Sequence, residues 1–114
     1  MLPLDITAQT TYPTLAPDDG AFVGGAAGSF TAKAGNAVEV WGTCTVGAGV
    51  LYLLFWDGAA WFPLGSGKTI DAAAAPGGRF QDAWWVGDTG GRKCCVYISG
   101  GPTVTPLRIA GARL

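Results

Sequence analysis

GVLYLLFWDGAAWFPLGSG, residues 49–67, carries the strongest β-hairpin signal in the sequence. An apolar run at 50–56 is followed by a turn at Asp57-Gly58 and by a second apolar run at 61–64. Two apolar runs joined by Asp-Gly predict a β-hairpin, because these two residues readily adopt the backbone angles of a tight turn between antiparallel strands.

The first strand of this hairpin is apolar on both faces. Its alternating side chains are Leu51, Leu53 and Phe55 on one side and Tyr52, Leu54 and Trp56 on the other. A strand with one face in water would alternate apolar with polar residues. We therefore expect one face to lie in the domain interior and the other against a neighbouring subunit. The candidate oligomer interface consists of five large side chains: Tyr52, Leu54, Trp56, Trp61 and Trp85.

Glycine and proline set the fold class. The chain of 114 residues contains 19 glycines and 7 prolines, which leave no room for a helix of ordinary length. The clearest period-2 strands are 37–46 and 92–99. We predict an all-β protein, an antiparallel β-sandwich that is jelly-roll-like with about eight strands. The remaining predicted strands are 21–23, 29–32, 67–70, 80–86 and 105–113.

The first twenty residues have a different character from the rest. Pro3, Pro13 and Pro17 favour extended backbone without ladder hydrogen bonds. We therefore divide the chain into an extended N-terminal arm, 1–20, and a sandwich domain, 21–114. Because a solvated tail usually lacks apolar residues, the arm should dock, either on a partner or along its own domain. Its candidate contact residues are Leu2, Leu4, Ile6, Tyr12 and Leu15.

The residues that most catalytic sites require are missing. The chain has no histidine, which removes Ser-His and Cys-His pairs and imidazole metal ligands. Of the three cysteines, Cys94 and Cys95 are adjacent rather than spaced to chelate zinc. Most of the eight carboxylates fall in turns, where an aspartate ordinarily bonds its own backbone. The sequence therefore predicts no enzyme, no catalytic residue, no cofactor and no metal.

The cysteines are predicted to be three free thiols. Strand alternation points Cys94 and Cys95 to opposite faces, so a disulfide between them would be strained. Alternation in 37–46 points Cys44 inward with Val38, Val40 and Val46. An odd number of cysteines without framework spacing is typical of a protein made in a reducing cytoplasm.

Charge and hydropathy exclude two classes of partner. The net charge is -1 and the seven basic residues are dispersed, which argues against nucleic acid. No apolar run approaches the length of about 20 residues that a membrane-spanning helix needs, and the N-terminus lacks the pattern of a signal peptide. We therefore expect no membrane partner and no secretion.

Five tryptophans are the feature best suited to binding. Trp84 and Trp85 must point to opposite faces of a strand, so one should join the core and the other an exposed aromatic patch. Exposed indoles bury large areas at protein interfaces and also stack on sugar rings. Both uses stay open.

Residues 38–114 resemble small virion proteins of tailed bacteriophages. The resemblance is to capsid decoration (cement) proteins, which have a β-sandwich and often a jelly-roll fold. Its motifs are the hairpin Asp57-Gly58-x-x-Trp61, the strand around Thr69-Ile70, the Gly-x-Phe segment at 78–80, and the terminal VYISGGPTVTPLRIAGARL at 96–114.

The resemblance implies a structural protein made in the host bacterial cytoplasm and placed on the capsid surface of the virion. There it would form a homotrimer, bind the major capsid protein and stabilise the shell, with the arm as a capsid contact. Since similar hairpins occur in carbohydrate-binding sandwiches, the alternative is a sugar-binding module of a phage tail fibre or a bacterial surface protein.

Overall fold

Two antiparallel sheets pack face to face in a computed structural model that describes residues 3–87 and 91–114. The strands are β1 (Leu4–Asp5), β2 (Phe30–Ala32), β3 (Ala37–Val46), β4 (Ala48–Trp56), β5 (Trp61–Pro63), β6 (Lys68–Asp71), β7 (Arg79–Trp85), β8 (Lys93–Ser99), β9 (Thr103–Ala110) and β10 (Ala112–Arg113). A 3₁₀ turn spans Gly25–Ala27. The predicted β-sandwich is confirmed, with ten strands rather than about eight.

Neighbouring strands in each sheet are mostly distant in sequence. The four-stranded sheet has the order β1-β9-β3-β7, and the six-stranded sheet has the order β10-β2-β8-β4-β5. β6 pairs with the first half of β4, and β5 pairs with its second half as the predicted hairpin. Most connections cross from one sheet to the other, so the strands that pair within each sheet come from distant parts of the sequence.

The main core lies between the sheets and contains the inward residues expected from the sequence. Leu51 and Leu53 of β4 are buried against Val38 and Val40 of β3, and Phe55 packs against the same cluster. Burying a side chain of this size contributes about 1.5–3 kcal/mol before conformational entropy is subtracted. Trp84 also belongs to this core, whereas Trp85 points outward, as the alternation predicted.

Three strand predictions need correction. Residues 21–23 form a turn rather than a strand, because Gly24 and Gly25 follow with positive φ and bend the chain. The strand predicted at 105–113 is split at Gly111, where the chain passes from β9 in one sheet to β10 in the other. Val46 faces solvent rather than the core, because the pairing of β3 with β9 shifts register after Gly42.

The N-terminal segment is paired with the sandwich. Leu4 lies opposite Ile109 and Asp5 opposite Arg108, so the expectation of an arm without ladder bonds is wrong at these two positions. The prolines do not interfere, since Pro3 precedes the strand and the next proline is Pro13. Among the described residues no helix is long and apolar enough to cross a membrane.

Gly111 should be the more sensitive of two glycines that share a left-handed backbone. Gly35 has φ 75° with open space around it, whereas Gly111 has φ 83° and a Cβ there would overlap the carbonyl oxygen of Ala37. We expect Gly35→Ala to cost about 1 kcal/mol of unfolding free energy through strain alone. Gly111→Ala should cost about 3 kcal/mol or more because the backbone of two strands must also move. Urea denaturation measures both, and equal losses would contradict the crossover geometry.

Candidate functional site

A segment of the chain that we call the strap, residues 9–23, crosses the outer face of the six-stranded sheet. It begins at Gln9, whose backbone N–H donates to the carbonyl of Val96 at 2.8 Å and whose carbonyl accepts from the N–H of Ile98 at 3.0 Å. The side-chain amide of Gln9 is buried and donates to the carbonyl of Val23 at 2.9 Å. The backbone of Gln9 therefore attaches the first residue of the strap to β8, and its side chain attaches the first residue to the last.

A second apolar cluster lies beneath the strap. Leu54 is fully buried there with Cys95, Trp61 and Phe22, the last supplied by the strap. The rings of Phe22 and Trp61 stack at a centroid distance of 5.5 Å, and Tyr12 meets Tyr97 edge-on at 5.4 Å. The second apolar face of β4, for which the sequence suggested a neighbouring subunit, is covered by the same chain.

Two hydrogen bonds fasten the strap to the hairpin. The hydroxyl of Tyr12 donates to the carbonyl of Trp61 at 2.7 Å, and the indole N–H of Trp61 donates to the carbonyl of Leu15 at 2.8 Å. Partial burial raises the pKa of Tyr12, so the phenol stays protonated and remains a donor. A buried indole usually finds such a partner, and here the partner is the strap backbone.

The five candidate interface residues do not share one surface. Leu54 and Trp61 are buried in the second cluster, and Tyr52 and Trp56 are partly buried beside them. Trp85 is 67% exposed on the outer face of the other sheet. The sequence did not single out Phe22 or Gln9, although Phe22 is the only aromatic residue between Tyr12 and Phe30.

The candidate contact residues of the arm are divided in the same way. Ile6 is buried in the main core and Leu4 packs against it, while Leu2 lies outside the described residues. Tyr12 and Leu15 remain 45% and 39% exposed, and Val23 is 57% exposed. These three surround one small depression, and we call them the strap patch.

The outer face of the four-stranded sheet has no such cover from the described residues. Trp41, partly buried, lies directly between Gln81 of β7 and Arg108 of β9, and Thr43 lies opposite Arg79. These side chains line a shallow depression of about 430 Å³, which we call the arginine hollow; its main lining residues are Trp41, Thr43, Arg79, Gln81, Pro106 and Arg108. The Nε–H of Arg108 donates to a carboxylate oxygen of Asp5 at 2.9 Å, which fixes one wall of the hollow.

The three thiols are free, as predicted, and all three are buried, whereas burial was expected only for Cys44 and one of Cys94 and Cys95. Cys94 faces the main core and Cys95 the second cluster, so the adjacent residues do point to opposite faces. Burial raises the pKa of Cys94 to about 12 and also raises that of Cys95. Since the thiolate is the reactive form, neither group is suited to nucleophilic chemistry in the folded protein.

The carboxylates of the described residues do not gather into a site. Asp57 caps the hairpin turn by accepting from the backbone N–H groups of Ala59 and Ala60, each at 2.7 Å. The bond from Ala60, followed by that from Ala59, lowers the pKa of Asp57. Across the part of the chain that the structure describes, no group of three or more acidic or cysteine side chains could hold a metal ion.

Comparison with known proteins adds no relative to this picture. No family matches the chain, and neither a curated protein nor a solved structure matches it.

Phe22 should hold the strap in place, and its neighbour Val23 provides a matched control. We expect Phe22→Ala to cost about 3–5 kcal/mol, because it removes a buried aromatic ring from the second cluster. Val23→Ala should change stability by about 0.5 kcal/mol or less, since that side chain is largely exposed. Limited proteolysis within residues 10–23 should accelerate in Phe22→Ala only. Equal protection of the strap in both variants would contradict the assignment.

The buried thiols should make the protein less stable in alkali. Cysteine in the unfolded chain ionises near pH 9.0, whereas folded Cys94 ionises near pH 12. Between these values the unfolded state binds fewer protons than the folded state, so the free energy of unfolding falls as pH rises. We expect Cys94→Ala to reduce this slope by up to about 1.4 kcal/mol per pH unit, whatever its effect on stability at pH 7. Identical slopes for both proteins between pH 9 and 10.5 would refute the assignment.

Proposed function

We propose that this protein is a capsid decoration protein, a structural virion protein that binds the outer surface of a bacteriophage head and stabilises the shell. The motif order of residues 38–114 supports the proposal through its resemblance to such proteins. The strand orders support it as well. β1-β9-β3-β7 in one sheet and β2-β8-β4-β5 in the other are those of a jelly roll, an architecture found in viral capsid proteins and in lectins.

The observation that carries the proposal is the strap patch. Seven large apolar side chains are exposed in the described part of the chain, and three of them, Tyr12, Leu15 and Val23, surround one depression. They lie on a segment fastened to the sandwich at Gln9 and Trp61. Because the strap is already hydrogen-bonded to the sandwich, covering these side chains requires no additional ordering of a loop.

The strap patch also changes how the arm would act. Leu4 and Ile6 are engaged with the core, so they are not available to reach onto a capsid. Attachment would instead use the folded strap, with Tyr12 and Leu15 keeping the contact role expected from the sequence. Shell attachment is then a property of the whole domain.

Oligomerisation would strengthen binding to the shell by increasing the number of strap patches on each particle. A homotrimer presents three strap patches, and once one is bound the others engage at high effective concentration. A ligand that binds only the assembled shell stabilises it by mass action, which requires no catalytic residue. The trimer contact would involve surfaces other than Leu54 and Trp61, which are buried within one chain; Trp85 is exposed and available.

Charges placed on the strap patch should abolish shell binding and leave the fold intact. We expect the double variant Leu15→Asp, Val23→Asp to remain folded, because both side chains are exposed, and to lose at least about tenfold in affinity for undecorated heads of the phage that encodes the chain. Val46→Asp, a charge at an exposed position on β3, is the control. Sedimentation with heads gives occupancy, and the temperature of DNA release gives shell stability.

Two results would overturn the proposal. One is the absence of the protein from purified particles by mass spectrometry. The other is failure of the unaltered protein to bind heads or to raise the temperature of DNA release. If it binds but the double variant binds equally well, the strap patch is not the contact.

A further inference from the structure

We propose that the arginine hollow binds an acidic sugar, a hexuronate unit of a polysaccharide. This goes beyond shell attachment and does not depend on it. The strap patch and the arginine hollow lie on the outer faces of different sheets. A domain held by the strap patch would therefore leave the hollow free. A trimer contact at Trp85 would lie at the other end of β7, six residues and about 20 Å from Arg79.

The charges of the hollow specify an anion. Its lining includes the guanidinium groups of Arg79 and Arg108 and no acidic side chain. Arg108 uses its Nε–H for Asp5, which orients the guanidinium and leaves its terminal N–H groups available. Arg79 forms no ion pair with any residue of 3–87 or 91–114. A guanidinium matches the two oxygens of a carboxylate in a bidentate hydrogen bond.

The uncharged lining fits a sugar ring that carries the carboxylate. Trp41 contributes an indole between the two arginine-bearing strands, and an indole packs well against the apolar C–H face of a pyranose. Gln81 and Thr43 form no side-chain hydrogen bond to the described residues, so their amide and hydroxyl groups are available to sugar hydroxyls. An aromatic surface, two cations and two neutral polar groups thus meet in one hollow.

An acidic peptide is the competing ligand, and the position of the hollow disfavours it. The hollow lies on the face of β3, which is paired on both sides, by β7 and by β9. A peptide that lies across this face gains no backbone pairing from β3, and pairing with the free edge of the sheet, on β7, would place it beside the hollow rather than over Trp41. Nucleic acid is disfavoured as well, because two arginines on a chain of net charge -1 cannot follow a phosphate backbone.

The test is calorimetric titration of the isolated protein with tetragalacturonate. We expect saturable binding that weakens with salt. The fully methyl-esterified tetramer has nearly the same ring structure without the charge, and it should bind at least about tenfold more weakly. Arg79→Gln should weaken tetragalacturonate binding by at least about tenfold. Arg113→Gln, the same change of charge on β10 in the other sheet, should leave binding unchanged.

Trp41→Phe separates ring packing from charge, and it should weaken binding without altering the salt dependence. Tetraglutamate is the peptide arm of the experiment and should not bind measurably. The proposal is overturned by absence of saturable binding, by equal affinity for the methyl ester, or by full affinity in Arg79→Gln. Equal affinity for tetraglutamate would make the hollow a site for acidic peptides instead. Since no capsid is present, none of these outcomes bears on shell attachment.

Discussion

The structure depends on covering β4 on both faces. Leu51 and Leu53 face the main core, while Leu54 faces the opposite way and is nonetheless fully buried. A sandwich of two sheets covers only the inner face of each strand, so a third layer is required wherever the outer face is also apolar. In this chain the strap forms that layer. The position of residues 9–23 follows from the composition of a strand that begins 25 residues after the strap ends.

Because the strap covers the second cluster, the positions of both its ends in the fold are constrained. The chain must leave β1 in the four-stranded sheet, pass Gln9 beside β8 in the six-stranded sheet, and return to β2 after Phe22. Gln9 can be buried at this crossing because its amide donates to Val23 and its backbone pairs with β8. A buried polar side chain is tolerated when it is hydrogen-bonded, and here its hydrogen bonds also fix the path of the strap.

The period-2 patterns predicted the strands well because alternation is a local property. The inward set of β3 and the opposite directions of Cys94 and Cys95 could both be read directly from the sequence. Which segment of protein buries Leu54 could not be predicted from alternation. A neighbouring subunit and the chain's own N-terminal segment satisfy the same apolar surface equally well, and only the backbone path distinguishes them. Val46 and Gly111 were misplaced because register shifts and sheet crossings depend on partner strands.

The candidate sites were less predictable than the fold. Trp41 and Arg79 lie far apart in sequence and become neighbours only through the pairing of β3 with β7. The exposed residues of the strap acquire a common surface only because Phe22 and Tyr12 bind the segment to the hairpin. Both proposals therefore rest on long-range contacts: those of β3 with β7 and β9 form the arginine hollow, and those of the strap with β5 and β8 form the strap patch.

The central claim is that the strap covers the second cluster of its own chain. Isotope-filtered nuclear Overhauser measurements on an equal mixture of labelled and unlabelled protein test it directly, through the ring contact of Phe22 with Trp61. The contact should appear only between residues of the same chain. A contact seen only between labelled and unlabelled chains would mean that a neighbouring copy covers Leu54, and the strap would not be the third layer of its own domain.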